Sequence, residues 1–571
     1  MAKQNEAAVL AARDGLSHVK GGHQPDLTDA TIPQLLREAA LRGGASDALI
    51  FADRRLSYDA FAQAVDDLAC GFLALGLQKG DRLGIWSPNR IEWVLTQFAT
   101  ARIGVILVNI NPAYRLSELE YALNKVGCKA LVLAPAFKTS DYLEMIRTLA
   151  PELANCEKGG LRAEKLLELR HVIVMGDDTA QSGEWAFGEI ARKGGAEHRD
   201  RLPELDKVLH PDDPINIQFT SGTTGQPKGA TLTHRNIVNN ARFVTDRINL
   251  TERDRLAIPV PLYHCFGMVM GVLGAVSKGA TMVFPGEAFD PEQTLDTVEA
   301  ERCTALYGVP TMFVAMLQEL SATPRDLSSL RTGIMAGSPC PVDVMKQVND
   351  RMHMGEVTIC YGMTETSPVS FQSFVDDSTD KRCETVGRIH PHLEVKIVDD
   401  TGQTVPVGVQ GELCTRGYSV MQGYWDDPER TAEAIRDGWM HTGDLAVLDA
   451  EGFCTITGRV KDMIIRGGEN VYPREIEEFL FGHPDIKEVQ VFGIPDARMG
   501  EEVCAWVVAK PGREITAEDV RAHCQGQIAH FKVPRHVRIV TELPMTITGK
   551  PQKFIMRDRM VEMLGQAEAS D

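Results

Sequence analysis

The sequence predicts an α/β protein with a large N-terminal domain of layered α/β subdomains, a small β unit within it, and a small α+β C-terminal domain. At 571 residues the chain is longer than one hydrophobic core usually accommodates. Helical and strand-like patterns alternate in its first half, which is typical of largely parallel sheets covered by helices. Two later changes of pattern, over Leu393–Leu448 and beyond Asp462, indicate the β unit and the C-terminal domain.

Apolar periodicity gives the elements in order. The polar residues 1–30 predict an irregular arm. Next come helix Tyr58–Leu75, strand Arg82–Trp86, helix Ile91–Ile103, strand Val105–Asn109, helix Glu118–Val126 and strand Ala130–Ala134. The predicted N-terminal domain covers residues 31–461 and contains the β-rich subdomain 393–448. The C-terminal domain, 462–571, is predicted to contain helix Pro473–Phe481, strands Val489–Gly493 and Cys504–Ala509, and helix Ala517–Ala529.

Composition narrows the class of protein. A net charge of −19 argues against nucleic acid as the main partner. None of the 12 cysteines has Cys-x-x-Cys spacing, so neither a zinc site nor a dithiol redox pair is expected, and a reducing, cytoplasmic setting fits. The N-terminus lacks a signal-peptide pattern. The apolar stretch Phe266–Val276 is too short to cross a bilayer and predicts a buried helix, so no transmembrane segment is expected.

One loop carries the strongest chemical signal. The ten residues Thr220–Gly229 contain three glycines, four hydroxyls and Lys228. Glycines allow close backbone approach to a ligand, and hydroxyls, backbone N–H groups and an ammonium are donors for phosphate oxygens. A strand-like segment, Pro214–Phe219, precedes the loop, and Thr233 is predicted to cap a helix after it. The pattern therefore predicts a phosphate-binding loop between a strand and a helix, although its spacing is not that of a Walker A loop.

Four further motifs follow in order: Tyr361-Gly-Met-Thr-Glu-Thr366; His441-Thr-Gly-Asp444 with Gly458-Arg459; Lys461-Asp462 followed by Arg466-Gly-Gly-Glu469; and Pro544-Met-Thr-Ile-Thr-Gly-Lys550. An aromatic ring can stack on a base, a carboxylate can hold Mg²⁺ or ribose hydroxyls, and a lysine can stabilise charge on a phosphate. Taken singly, each motif is also compatible with an ordinary turn, a linker or a solvated lysine. The phosphate-loop motif and these four motifs, found together in this order, indicate a function far more specifically than any one of them does alone.

This set resembles the signature motifs of adenylate-forming, or AMP-binding, enzymes across nearly the whole chain. The sequences of the segments Asn216–Asn240 and Asn109–Tyr114 are most similar to those of medium-chain fatty acyl-CoA synthetases. The resemblance implies ATP, Mg²⁺ and coenzyme A as co-substrates and cofactors, and a mobile C-terminal domain that rotates about Asp462. It also implies that a Gly-Gly loop, Gly467, Gly468 and Glu469, faces the coenzyme A side.

The resemblance assigns roles to individual residues. It places Thr364, Glu365, His264 and Lys550 in catalysis, with Glu365 and Thr224 on magnesium and Lys550 bridging the attacking carboxylate and the α-phosphate. Nucleotide contacts are expected from Thr220, Ser221, Gly222, Thr223, Thr224, Gly225, Lys228, Gly337, Ser338, Tyr361, Asp444, Arg459 and Lys550. Among these, Asp444 and Arg459 would hold the ribose.

The acid pocket is expected around Pro261–Gly267. No acidic residue lies between Pro259 and Ala275, so an α-ammonium group would be unpaired there and an amino-acid substrate is disfavoured. His264, Val309 and Gly337 are expected to line an acyl pocket, with Gly337→Leu shortening the preferred chain. A histidine packed in the core is the alternative interpretation of His264.

The expected function is an AMP-forming fatty acyl-CoA synthetase, an acid–thiol ligase that prefers medium-chain acids. A CoA ligase for short branched, thioether or aryl acids is the alternative. A luciferase-like oxygenase and a non-catalytic ATP-binding protein are alternatives of another class. A peptide-synthetase module is disfavoured because no ammonium partner and no carrier segment are seen. Oligomeric state is not fixed by the sequence, and a homodimer stays open.

Overall fold

The computed structural model describes residues 11–12, 14–176, 182–220, 227–338, 340–466, 469–496, 498–525, 527–546 and 550–568. The chain divides into two compact units. The first contains Lys20–Glu394 and Thr415–Met440, and the second contains Ala11–Val19, Val395–Cys414 and His441–Asp571. Much of the β-rich segment is therefore grouped with the C-terminal segment, whereas the sequence predicts a boundary near Asp462. The hinge at that residue stays a prediction.

An eight-stranded sheet dominates one half of the first unit. All neighbouring strands up to Pro214–Thr220 are parallel, and the last two pairings are antiparallel. Buried apolar side chains fill its central strands, as expected for a sheet covered on both faces. In spatial order the strands are Trp185–Ala186, His171–Val174, Cys128–Leu133, Arg82–Trp86, Ile106–Asn109, Pro214–Thr220, Lys228–Thr233 and Gly423–Tyr424.

A second, seven-stranded sheet is parallel except at one edge, where a hairpin adds an antiparallel strand. Its strands are Glu356–Thr358, Thr332–Met335, Ala305–Gly308, Arg255–Ala257, Thr281–Phe284, Asp47–Phe51 and Arg54–Ser57. The predicted layered, largely parallel α/β arrangement is confirmed. Smaller sheets are formed by Cys360–Gly362, Val369–Gln372 and Arg388–Ile389, and by Ala136–Phe137 and Ser140–Asp141.

Helices pack against these sheets. The predicted helices near Tyr58, Ile91 and Glu118 are observed as Tyr58–Ala74, Ile91–Arg102 and Leu116–Val126. The other α-helices of the first unit are Ile32–Gly43, Tyr142–Leu149, Phe187–Lys193, Ala196–Arg199, Leu202–Val208, His234–Arg247, Gly274–Lys278, Pro291–Ala300, Pro310–Ala322, Val342–Arg351, Thr379–Glu384 and Pro428–Ala434, with 3₁₀ turns at Pro151–Ala154 and Thr364–Thr366.

The predicted buried helix at Phe266–Val276 begins as a π-helix. Residues Phe266–Leu273 have the wider π geometry and continue into the α-helix Gly274–Lys278. Every side chain of the π segment is buried. Such segments are uncommon and occur often at functional sites.

The β-rich segment forms a sheet, as predicted. Its strands are Leu393–Val398, Gly411–Gly417, Trp439–Leu448 and Cys454–Arg459, together with His18–Lys20. The arm that was predicted to be irregular therefore contributes one strand. A short strand, Ile435–Arg436, pairs with the first residues of Trp439–Leu448.

The C-terminal segment is α+β, as predicted. A five-stranded sheet contains Glu469–Val471, Ile464–Arg466, Gly500–Ala509, Ile486–Asp496 and His536–Ile539. Its helices are Pro473–Phe481, Ala517–Cys524 and Lys553–Glu568, with 3₁₀ turns at Val460–Asp462 and His530–Lys532. Among the residues that the structure describes, no helix is long and apolar enough to cross a membrane.

Candidate nucleotide and acid site

The strand before the predicted phosphate loop ends at Thr220, and the chain returns as a second strand, not as a helix. Lys228–Thr233 runs antiparallel to Pro214–Thr220, with Thr220 opposite Lys228. The predicted strand-to-helix setting is therefore wrong: the loop closes a β-hairpin. The helix begins one strand later, where the predicted cap is confirmed, because Thr233 Oγ1 accepts the backbone N–H of Asn236 at 3.1 Å.

Most of the loop itself lies outside the described residues. These are Ser221, Gly222, Thr223, Thr224 and Gly225, and their predicted contacts with phosphate and magnesium stay predictions. Its two flanking residues, Thr220 and Lys228, are described and half-buried. The hairpin register places them side by side at the mouth of the loop.

The Glu365 carboxylate lies directly beside this hairpin. Glu365 follows Thr364 in a 3₁₀ turn and is 6 % exposed. Its Oε1 accepts hydrogen bonds from the Thr220 hydroxyl at 3.1 Å and from the Tyr424 hydroxyl at 2.9 Å. Two segments that are 145 residues apart in sequence thus meet at one carboxylate oxygen.

Tyr424 is the residue that sequence reasoning missed. It lies on the edge strand Gly423–Tyr424, paired with the hairpin at Ala230, and is 7 % exposed. The Lys228 ammonium lies 3.3 Å from its hydroxyl and 4.4 Å from the centre of its ring. Burial and the neighbouring Glu365 charge raise the pKa of Tyr424 well above its usual value, so the hydroxyl remains a donor at neutral pH.

This arrangement fits a hard divalent cation. A buried carboxylate normally has a cationic partner. Within the described part of the chain, the hydrogen bonds to the Glu365 side chain come from two neutral hydroxyls, and no arginine, lysine or histidine forms an ion pair with it. Its second oxygen and negative charge are thus suited to Mg²⁺, which prefers oxygen ligands.

The acid-side segment packs against the same 3₁₀ turn. The Cys265 thiol donates to Gln218 Oε1 at 3.2 Å, and burial is the main reason that its pKa rises to about 12, with a smaller contribution from the Glu365 charge and an opposing hydrogen bond to Thr364. Cys265 is therefore a neutral packing residue and not a nucleophile at neutral pH. The structure brings the predicted Thr364 and the His264–Cys265 segment together.

His264 itself is half-buried, and its Nδ1 accepts the backbone N–H of Phe266 at 3.2 Å. This contact fixes the ring at the start of the π-helix. Tyr361, on the strand Cys360–Gly362, is also half-buried, with its ring centre 6.4 Å from that of Phe371.

Gly337 and Val309 face each other, as an acyl pocket would require. Gly337 has a φ of +96°, and a Cβ placed there would lie 3.2 Å from Val309 Cγ1. Val309 precedes the helix Pro310–Ala322 in an extended conformation, with φ −89° and ψ 157°. Ser338 follows Gly337 and is half-buried.

The predicted ribose pair forms a contact in the second unit. Asp444 and Arg459 are opposite each other on adjacent antiparallel strands, and Arg459 Nε donates to Asp444 Oδ1 at 2.9 Å. Asp444 is 6 % exposed, whereas the Arg459 side chain is 65 % exposed. The arginine therefore screens a carboxylate that is otherwise enclosed.

Glu412 holds the turn that carries Asp444. Its Oε1 accepts the Gly443 N–H at 3.1 Å, and its Oε2 lies 2.8 Å from His441 Nδ1. Cys414 Sγ lies 3.4 Å from the same nitrogen. The three potential metal-ligating atoms lie within 4.8 Å of one another, but donors from the turn already engage both oxygens of Glu412.

The remaining predicted residues lie in the C-terminal segment. Asp462 ends the 3₁₀ turn Val460–Asp462 and is half-buried, and Glu469 begins a strand and is exposed. Gly467 and Gly468 lie outside the described residues. Lys550 is exposed, and its backbone closes a turn with Thr546: the Lys550 N–H donates to Thr546 Oγ1 at 2.9 Å and the Lys550 carbonyl accepts the Thr546 N–H at 2.8 Å.

Comparisons with known proteins identify the family of this chain. The AMP-binding enzyme family matches residues 36–425, and the C-terminal domain of AMP-binding enzymes matches residues 475–550. The medium-chain acyl-CoA ligase ACSF2, mitochondrial, of Danio rerio is 49 % identical over 96 % of this chain and 91 % of its own length. The putative acyl-CoA synthetase YngI of Bacillus subtilis (strain 168) is 48 % identical over 94 % of this chain and 98 % of its own.

Among solved structures, ATP-bound MatB from Rhodopseudomonas palustris superposes with a TM-score of 0.80 at 29 % identity, covering 94 % of this chain and 100 % of that one. The fold prediction and the resemblance on which the residue roles depend are confirmed at the level of family. The chain belongs to the AMP-binding enzyme family, in its acyl-CoA synthetase branch.

Proposed function

We propose that this protein is an AMP-forming fatty acyl-CoA synthetase with a preference for medium-chain acids. ATP and the acid give an acyl-adenylate and pyrophosphate, and coenzyme A then takes the acyl group, releasing AMP. The observation that carries this proposal is the buried Glu365 carboxylate, held by hydroxyls at the mouth of the phosphate-loop hairpin.

In the first step the acid's carboxylate attacks the α-phosphorus, and pyrophosphate leaves in line. Thr220, Lys228 and the loop between them would orient the phosphates, and Glu365 would hold Mg²⁺, which neutralises phosphate charge when bound. Most of the catalysis in such a displacement is positioning and charge stabilisation. Thr364 is a half-buried hydroxyl beside Glu365 and is suited to donate to an α-phosphate oxygen.

In the second step the thiol of coenzyme A attacks the adenylate carbonyl, and AMP leaves. Asp444, with Arg459, is suited to hold the two ribose hydroxyls, because a carboxylate accepts both and a guanidinium can bind one. A rotation of the C-terminal domain about Asp462 would exchange Lys550 for the Gly-Gly loop between the two steps. The family relationship and the position of the 3₁₀ turn support this part of the proposal.

The acid is proposed from the pocket and from the relatives. The π-helix wall is wholly apolar and lacks any acidic residue, which disfavours an ammonium group. The Danio rerio relative is named a medium-chain ligase. A cytoplasmic setting and a homodimer stay predictions; the name of that relative refers to mitochondria.

The direct test is ATP- and CoA-dependent AMP release across a panel of saturated acids from four to sixteen carbons, with branched, thioether and aryl acids included. We expect the highest kcat/KM at medium chain length and stoichiometric thioester. A maximum on an aryl or branched acid would contradict the substrate class. Pyrophosphate release without thioester would contradict the ligase reaction and favour the oxygenase alternative.

A further inference from the structure

The hydroxyl of Tyr424 lies between two opposite charges, those of Lys228 and Glu365. The proposed reaction requires that these two charges do not neutralise each other. The tyrosine hydroxyl donates to Glu365 Oε1 at 2.9 Å, and Lys228 Nζ donates to the tyrosine oxygen at 3.3 Å. Among the described residues, no direct ion pair joins Lys228 to Glu365. The ammonium and the carboxylate are thus linked through one neutral group.

Two further contacts hold Tyr424 in this position. Its backbone N–H donates to Thr431 Oγ1 at 2.9 Å, and its strand pairs with the hairpin at Ala230. The ring lies under the Lys228 ammonium at 4.4 Å, a cation–π distance. Since only 7 % of the residue's surface is exposed, the hydroxyl has little freedom to move away.

Without this hydroxyl, the flexible lysine side chain could close onto the carboxylate. The Coulomb attraction between two opposite charges is larger in a half-buried site than in water, because water screens it poorly there. A direct ion pair would compete with both proposed ligands of the site, since magnesium needs the carboxylate and a phosphate needs the ammonium. A tyrosine hydroxyl can serve as acceptor for one group and donor for the other, which keeps both charges available.

We propose that Tyr424 is a positioning residue that keeps Lys228 and Glu365 linked through its hydroxyl and prevents their direct ion pair, so that each can bind its own part of magnesium–ATP. This inference rests on the proposed function, because it assumes that Glu365 and Lys228 contact that ligand.

The test is Tyr424→Phe, which keeps the ring and removes only the hydroxyl. We expect the Kd of ATP measured by calorimetry in excess Mg²⁺ to rise about 10-fold, because the ion pair that the hydroxyl prevents would then compete with magnesium for Glu365 and with phosphate for Lys228. With EDTA in place of Mg²⁺, the shift should be smaller, because only the competition for the Lys228 ammonium remains, whereas a general folding defect would weaken binding equally in both conditions. In a Lys228→Met background, the added Tyr424→Phe change should have a smaller effect, because no ammonium remains to close onto Glu365.

Tyr418→Phe is the matched control. Its hydroxyl accepts from Asn240 Nδ2 at 3.3 Å, and Tyr418 is 9 % exposed in the same segment of the chain. Three outcomes would each overturn the inference while leaving the proposed function intact. The Kd of ATP could shift as much in Tyr418→Phe as in Tyr424→Phe, or the Kd of Tyr424→Phe could stay within twofold of the parent. Third, the effect of Tyr424→Phe could be undiminished in the Lys228→Met background. A parent protein that binds no magnesium–ATP would overturn both.

Discussion

Lys550 is exposed, and its backbone rather than its side chain forms the turn with Thr546. Both hydrogen bonds of its turn with Thr546 use the Lys550 backbone, so an alanine there keeps the turn. We expect Lys550→Ala to slow acyl-adenylate formation by at least about 100-fold, as loss of a charge-stabilising donor does. Thioester formation from supplied acyl-AMP should stay within a few-fold of the parent. Pyrophosphate release and thioester formation, measured separately, give the two rates.

Thr546→Val supplies the contrast for this prediction. It removes the hydroxyl that accepts the Lys550 N–H and leaves the ammonium in place. A disturbed turn should therefore reduce adenylation less than loss of the ammonium. Equal loss of both half-reactions in Lys550→Ala would refute the assigned role.

At the residue scale, sequence motifs predict residues with distinctive chemistry. They do not predict residues that position another residue's side chain or backbone. Glu365 and Asp444 could be predicted because each lies in a recognisable motif. Tyr424 and Glu412 could not, since their partners lie 59 and 29 residues away in sequence. Only the pairing of strands brings Tyr424 to Glu365, and no local pattern encodes that contact.

At the scale of elements, the strand end at Gly337 and the helix start at Val309 form opposite walls of the proposed pocket. Gly337→Leu would fill the space but would also strain a backbone with φ +96°, a region that side chains disfavour. Val309 has an ordinary extended conformation. A larger residue at position 309 can therefore fill the pocket from the other wall without that strain.

We expect Val309→Phe to shift the best substrate toward shorter acids, with kcat/KM for dodecanoate falling at least about 10-fold relative to hexanoate, in line with the discrimination that a methylene or two can produce. Gly337→Leu should produce a similar shift together with a lower melting temperature. Rates across the acid panel and thermal melts of both variants provide the measurement. An unchanged chain-length profile in both variants would show that these residues do not line the pocket.

Periodicity located most elements within two or three residues, but two local structures escaped it. The strand Lys228–Thr233 has a glycine and a lysine at its start, which hides its alternation, and its pairing with Pro214–Thr220 determines the structure. The π-helix at Phe266–Leu273 is apolar at every position, so periodicity cannot distinguish its winding from that of an α-helix.

At the scale of the whole molecule, the sequence predicts the order of the segments better than their grouping. The strands Leu393–Val398 and Cys454–Arg459 belong to one sheet although many residues separate them. Because these strands pair in one sheet, much of the β-rich segment belongs to the same compact unit as the C-terminal segment. Sequence patterns indicate where the type of structure changes, whereas long-range pairing determines which segments form one body.

Three histidines of the first unit, the buried His234 and His390 and the half-buried His171, make its stability sensitive to acid. Burial lowers the pKa of His171 to about 4, that of His234 to about 3, and that of His390 well below its ordinary value. Unfolding exposes them to water, where their pKa returns to about 6.5. Below that pH the unfolded chain binds more protons than the folded chain, so stability is complete above about pH 6.5 and falls as pH decreases toward the folded pKa values.

We expect the free energy of unfolding to fall between pH 6.5 and 5 by up to about 1.4 kcal/mol per pH unit for each such histidine. His234→Gln should flatten this dependence, because one titrating group is removed, even if the variant is less stable at pH 7.5, where the Ile32 N–H loses its 3.1 Å contact to His234 Nδ1. His210→Gln, the same substitution at an exposed position, is the control. Urea unfolding followed by tryptophan fluorescence at a series of pH values measures how the free energy of unfolding depends on pH. Equal free energies at pH 7 and pH 5 would contradict the assignment of these histidines as neutral in the folded state.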